Sequence, residues 1–258
     1  MPRVFVALKN LEVAKSRLSV ALSDEQRVAL VRAMALDVVD VVLAGKSAWR
    51  LTAIAPASWQ ALLPRSPMLS LLCEEELTGV GLNELLREAM DAGQPDQALV
   101  VHGDLPFLDV RDVRAAMQHL QSHDLVLCPD SAGAGTNALG FRESAKPVFR
   151  FGRDSFAAHR RAAQARSSRW AALERPGFAR DIDTPADLSL LLRDVAAGEK
   201  VGARTALWVQ RYGRTVQSSL ETQMPIRFPR PQTHSEAPTH EKPSYRSSAD
   251  SERRGLPL

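Results

Sequence analysis

ALVVHGDLPFL, residues 98–108, decides how the chain is read. ALVV is apolar without alternation, as a strand buried on both faces of a parallel sheet must be. The run stops at Gly103–Asp104, and DVRDVRAAMQHLQS (109–122) follows with helical spacing. A strand passing directly into a helix is one unit of an α/β fold, and here its carboxyl end carries an aspartate. A turn, a helix cap or a bound cation would each account for Asp104. The cap reading weakens, because Asp109 serves as N-cap and Asp112 as N3 of that helix. Pro106 keeps Leu105 extended.

The same alternation extends in both directions. VFVALK (4–9), LTAIAP (51–56), SLLCEE (70–75), DLVLCPD (124–130) and NALGFRE (137–143) read as strands. Residues 23–45, 81–93, 155–166 and 184–195 read as helices, the first opened by Ser23 and Gln26 as a capping box. This predicts a mainly parallel sheet with helices on both faces and ligands at the carboxyl ends of its strands. The folded domain is expected to span 1–198. The stretch 200–219 fits one further helix or strand. After about residue 220 the chain is rich in Pro, Ser, Thr, Arg and Glu and lacks apolar periodicity, so 199–258 reads as a basic, largely disordered tail.

The 258 residues are 45% hydrophobic and 24% charged, a globular composition. No apolar run is long enough to cross a bilayer and MPRVFVALKN is too short for a signal peptide, so a cytoplasmic protein without a membrane partner is expected. Cys73 and Cys128 lie in apolar strands and read as buried free thiols. The pI of about 9.1 suggests nucleic acid, but from Glu199 onward 10 Lys+Arg face 6 Asp+Glu, which leaves 23 basic and 24 acidic residues elsewhere. A neutral body with a basic tail is no nucleic-acid footprint, and no nucleic-acid partner is expected.

In ARDIDTPADL (179–188), Thr184, Pro185 and Asp187 start a helix, leaving Asp181 and Asp183 over. Residues two apart on an extended chain share a face. With Asp104, they would make an oxygen-rich site for Mg²⁺ beside a substrate phosphate, or else solvated charges in a turn. KNLEVAKSRL (9–18) puts Lys9, Lys15 and Arg17 around the loop after the first strand, as a triphosphate or a plain solvated loop would allow. GVGLNELL (79–86) offers Gly81 and Asn83 at a helix start, for close approach of a nucleotide or an ordinary glycine turn. SAGAGTN (131–137) is a glycine-rich turn ending in Thr136 and Asn137. RFGRDSF (150–156) sets Gly152, Arg153 and Ser155 at a helix N-terminus, where anions are favoured. LAGKS (43–47) lacks the earlier glycine of a P-loop, and the six histidines show no metal-ligand spacing.

VALKNLEVAKSRL, GLNELL, VVHGDLPFL, DSAGAGTNAL, FRFGRDSFAAH and DIDTPADL, in that order, resemble the guanylyltransferases that act on 2-phospho-L-lactate and related acids in biosynthesis of the deazaflavin coenzyme F-420. The resemblance covers about residues 3–195; GTNAL and DIDTP are specific to it, whereas AKSRL and GDLP are shared with sugar-phosphate and molybdopterin nucleotidyltransferases. It implies a Rossmann-like nucleotidyltransferase fold. It also implies that Asp104, Asp181 and Asp183 hold Mg²⁺, that Thr136, Gly152 and Ser155 receive the acceptor acid, and that Lys15 and Arg17 belong to the triphosphate loop. The implied substrates are GTP and 2-phospho-L-lactate, phosphoenolpyruvate or 3-phospho-D-glycerate, and the product passes to a deazaflavin-conjugating transferase. The chain departs where the second strand runs AIAPAS, in place of a threonine and an acidic residue. A glycosyltransferase with a D-x-D metal site is the rival enzyme, and a nucleic-acid-binding protein using the basic tail is the rival of another class. The oligomeric state stays open, a homodimer included.

Overall fold

The computed structural model describes residues 1–93 and 95–223. Seven strands, β1 (Arg3–Ala7), β2 (Arg50–Ala55), β3 (Leu69–Cys73), β4 (Gln97–His102), β5 (Leu125–Pro129), β6 (Thr136–Arg142) and β7 (Trp170–Ala172), form one sheet in the order β3-β2-β1-β4-β6-β5-β7. β1 is parallel to both neighbours, Val4 pairing with Leu51 and with Leu99. Among the described strands, β6 alone runs against its neighbours. Its reversal is set by SAGAG. The Asp130 carboxylate accepts from the N–H groups of Ala134 and Gly135 at 2.9 and 2.8 Å, and Gly133 takes a φ of 67°. Reversal brings the first residues of β6, Thr136 and Asn137, to the sheet edge at which β1 and β4 end.

Helices cover both faces, as expected. From α1 (Asp24–Leu43) and α3 (Val110–His119), Val38, Val39, Val42, Val113 and Ala116 pack on one face with Val4, Val6, Leu99 and Val101. From α2 (Leu82–Gly93) and α4 (Ser155–Ala165), Leu86, Met90 and Ala163 pack on the other with Phe5, Val100 and Leu139. The capping boxes at Ser23–Gln26, Asp109–Asp112 and Thr184–Asp187 all form. Asp104 is therefore not the cap of α3. Cys128 is a buried free thiol, and Cys73 is free but only half-buried. Two short elements escaped the sequence reading: β7, and α5 (Pro176–Ala179). Neither spans enough residues to show a period.

The expected boundary at residue 198 is corrected. α7 (Ala203–Gln223) is a long helix in the same compact unit as the sheet. With α6 (Pro185–Ala196) it covers the outer side of α1, where Leu30 and Met34 meet Leu188, Leu191, Trp208, Val216 and Leu220. Buried on two sides, α1 is apolar nearly all round. The buried Asp37 of α1 fixes the start of α7 by accepting from Arg204 N–H at 3.0 Å and Thr205 N–H at 2.8 Å. A Cβ on Gly202 would lie 2.2 Å from that carboxylate, so glycine is required there. Of the segment expected to be disordered after about residue 220, the part from residue 224 falls outside the described residues.

Candidate active site

Three carboxylates meet at the carboxyl edge. Asp104 stands two residues beyond β4, and Asp181 and Asp183 lie between α5 and α6. One oxygen of each lies within 4.8 Å of the others. Ile182, between the last two, is buried against α1 and α6, so the extended chain turns 181 and 183 to the opposite side. Arg180 pins this loop from behind, lying 3.5 Å above the Phe107 ring and bonding Asp194 at 3.0 Å.

Lys15 completes the cluster. Its side chain is 3% exposed and its ammonium donates to both Asp104 and Asp183. The turn that delivers it needs a left-handed residue, Lys15 itself at φ 57°. That turn is held by Arg27 of α1, whose guanidinium donates to the carbonyls of Ala14 and Glu12 at 2.6 and 2.7 Å. Burial alone would strip the charge from Lys15, but Asp104 and Asp183 hold it above its ordinary value. Burial would likewise raise Asp104, yet the Lys15 charge, with His102 and Lys9, holds its carboxyl well below the usual range. Asp181 is raised, first by burial and then by the Asp104 charge.

The donor set fits a hard cation. All three side chains offer oxygen, and Asp104 Oδ1 is buried without a hydrogen-bond partner. The cluster is one that could hold a metal ion.

Thr136 and Ser155 are both buried at the same edge. Phe156 N–H donates to Ala134 O at 3.0 Å, holding the glycine-rich turn against the start of α4. Asp154, at φ 53°, precedes that helix without a side-chain cap, and Gly152 has φ 134°. The first turn of α4 thus keeps backbone donors that no side chain takes.

Other expected residues sit differently. Lys9 is 61% exposed with its ammonium 4.0 Å from Asp104, and Arg17 is exposed on a short 3-10 turn. Gly81 has φ 80° and opens α2. Three donors of the loop before it are taken: Glu88 accepts from Thr78 and Gly79 N–H, and Glu84 from Val80 N–H. Asn83 bonds the backbone of Phe151 at both ends of its amide, at 3.0 and 2.7 Å. The 79–86 segment thus braces the loop before α4 through the Asn83 side chain, while the N–H groups of Gly79 and Val80 are held by its own glutamates. At the AIAPAS departure, Glu75 accepts from Ala57 N–H at 3.0 Å, so a carboxylate reaches that turn from the end of β3.

Asn137, known from the sequence only as the end of the glycine-rich turn, and His159, not noted there, both bond to candidate residues. Asn137 donates to Asp181 Oδ1 at 3.0 Å and to Phe178 O at 2.9 Å, which aims the carboxylate. His159, one helical turn after Ser155, bonds Thr136 at 3.1 Å. The signal was the four-residue spacing in SFAAH, which puts both on one face of α4.

A family described as guanylyl transferase, CofC-like, matches residues 2–219. The chain belongs to this family. The match takes in most of α7, in keeping with the packing of that helix on α1. This guanylyltransferase is 35% identical over 213 residues to the 3-phospho-D-glycerate guanylyltransferase of Phenylobacterium zucineum (strain HLK1), covering 80% of the chain and 94% of the relative. It is 34% identical over 205 residues to the phosphoenolpyruvate guanylyltransferase of Sphaerobacter thermophilus, covering 75% and 93%. A solved nucleotidyl transferase from Methanothermobacter superposes with a TM-score of 0.56 at 15% identity, covering 78% of this chain and 99% of that one. That likeness is one of fold. Among the described residues no helix is long and apolar enough to cross a membrane.

Proposed function

We propose that this guanylyltransferase moves GMP from GTP to the phosphate of a small phosphorylated C3 acid, 3-phospho-D-glycerate, 2-phospho-L-lactate or phosphoenolpyruvate, in coenzyme F-420 biosynthesis. Pyrophosphate leaves, and the labile guanylylated acid passes to a deazaflavin-conjugating transferase. The observation that carries this reading is the meeting of Asp104, Asp181 and Asp183 with Lys15 at the edge where Thr136 and Asn137 begin β6, in a chain of this family.

A phosphate oxygen of the acceptor attacks the α-phosphorus of GTP. A phosphomonoester has its second pKa near about 6, so the nucleophile is already ionised and no general base is required. The obstacle is repulsion between two anions. Asp104, Asp181 and Asp183 would hold Mg²⁺, which supplies charge neutralisation and alignment of the phosphates when bound. Asn137 keeps Asp181 aimed at that position. Lys15, with Lys9 and Arg17 at the mouth of the loop, offers cations to the triphosphate. Thr136, Ser155 and the glycine turn at Gly152 receive the acceptor, whose anionic groups suit the uncapped start of α4.

Competition of the three acids for GTP and Mg²⁺, coupled to the downstream transferase, tests this. One acid is expected to release pyrophosphate in step with a guanylylated product. Failure of all three, with turnover of a nucleotide sugar instead, would overturn the reading.

A further inference from the structure

His159 has no part in the chemistry above, yet its two ring nitrogens are both engaged. Arg150 N–H donates to Nε2 at 2.9 Å. A backbone N–H can only donate, so Nε2 is the bare nitrogen. The ring is neutral: burial, helped by the charge of Arg150 and by His102, brings it down to about 4. The ring proton therefore sits on Nδ1, which faces Thr136 Oγ1 at 3.1 Å. Phe151 packs edge-on against the imidazole, with centroids 5.0 Å apart, and fixes its plane.

The consequence falls on Thr136. A hydroxyl has one proton and two lone pairs. Since His159 donates, Thr136 accepts there and its own proton must point elsewhere. Thr136 is 2% exposed, and among the described residues its Oγ1 has no other partner. The adjacent Asn137 holds Asp181. A donor fixed in this way suits an anionic oxygen and disfavours a neutral donor.

We propose that His159 is a positioning residue for the acceptor acid: its Nδ1–H commits the Thr136 hydroxyl to donate to an anionic oxygen of that acid. The inference rests on the reading that Thr136 meets the acceptor. It adds to that reading a defined tautomer and a direction for one proton.

Two substitutions separate orientation from packing. His159→Gln keeps an oxygen for Arg150 N–H but loses the donor to Thr136. His159→Asn keeps an amide donor at the Nδ1 position but loses the Arg150 contact. We expect His159→Gln to raise the acceptor KM about tenfold, as loss of one hydrogen bond to an anion would, with the GTP KM within about twofold. We expect His159→Asn to stay within about threefold of wild type for both. Equal effects of the two variants, or a joint rise in both KM values, would overturn the proposal.

Thr136→Val supplies the control. Added to it, His159→Gln is expected to raise the acceptor KM no further. Additive losses overturn the role of His159 alone. An unchanged acceptor KM in Thr136→Val overturns the acceptor reading and this inference with it. Nitrogen-15 NMR of the wild-type histidine rings needs no variant to fold: Nδ1 of His159 is expected to carry the proton, and a proton on Nε2 contradicts the proposal.

Discussion

Lys15 keeps its charge in a buried place because the Asp104 and Asp183 carboxylates accept hydrogen bonds from its ammonium. Breaking a buried pair leaves the partner uncompensated, at a cost of about 3–5 kcal/mol. Asp183 is 44% exposed, so the loss here should fall at the low end. Lys15→Met is expected to lower stability by roughly 3 kcal/mol in metal-free buffer. A divalent cation held by the same carboxylates would supply the missing charge. Added Mg²⁺ should therefore raise the melting midpoint of Lys15→Met more than that of wild type, and equal shifts would place the cation elsewhere. Asp104, Asp181 and Asp183 were legible in the sequence because each was left over once local caps had been assigned. Asn137 was seen only as a turn residue, since its partner Asp181 lies 44 positions away. The glycine context marks Gly81 and Asn83 but does not display that the Asn83 amide bonds the backbone of Phe151, 68 positions away.

At the scale of elements, helix starts were legible wherever the cap is local, as at Ser23, Asp109 and Thr184. The start of α7 was not. Its first N–H groups bond Asp37, 167 and 168 residues earlier, a pairing that no window of sequence displays. Nor does a basic, Ser- and Thr-containing stretch advertise that Trp208, Val216 and Leu220 will be buried. Burying side chains of this size contributes about 1.5–3 kcal/mol each. A chain ending at Gly198 would expose them along with Leu30 and Met34, and is expected to melt far below the full chain or to aggregate. A chain ending at Gln223 is expected to keep its midpoint within a few degrees. If the shorter chain melted normally, α7 would be an appendage and not part of the core. Comparing the two by calorimetry settles this.

Over the whole molecule, the alternation of strands and helices was enough to give a sheet covered on both faces. It did not give the strand order or the reversal of β6, which depends on how Asp130 closes the turn before it. That reversal is what carries Thr136 and Asn137 to the edge where Asp104, Asp181 and Asp183 meet. The same packing buries His159 as a neutral ring with its pKa reduced to about 4, burial being the main cause. Its folded value is below its unfolded value of 6.5, so its contribution to stability is present above pH 6.5 and is lost as pH falls toward about 4. The melting midpoint should decline across that window, and His159→Gln should flatten part of the decline. An unchanged slope in that variant would show that other groups carry it.

The most direct measurement follows the α-phosphate of GTP. With GTP labelled at that position, Mg²⁺ and the preferred acid, the wild type is expected to move label onto the acid while releasing one pyrophosphate per transfer. Asp104→Asn and Asp183→Asn should remain folded by circular dichroism and lose this transfer by about 10²-fold or more, the scale of losing one electrostatic contact to the transition state. Label transfer within about threefold of wild type in either folded variant, or transfer by neither wild type nor variants with any of the three acids, would contradict the account.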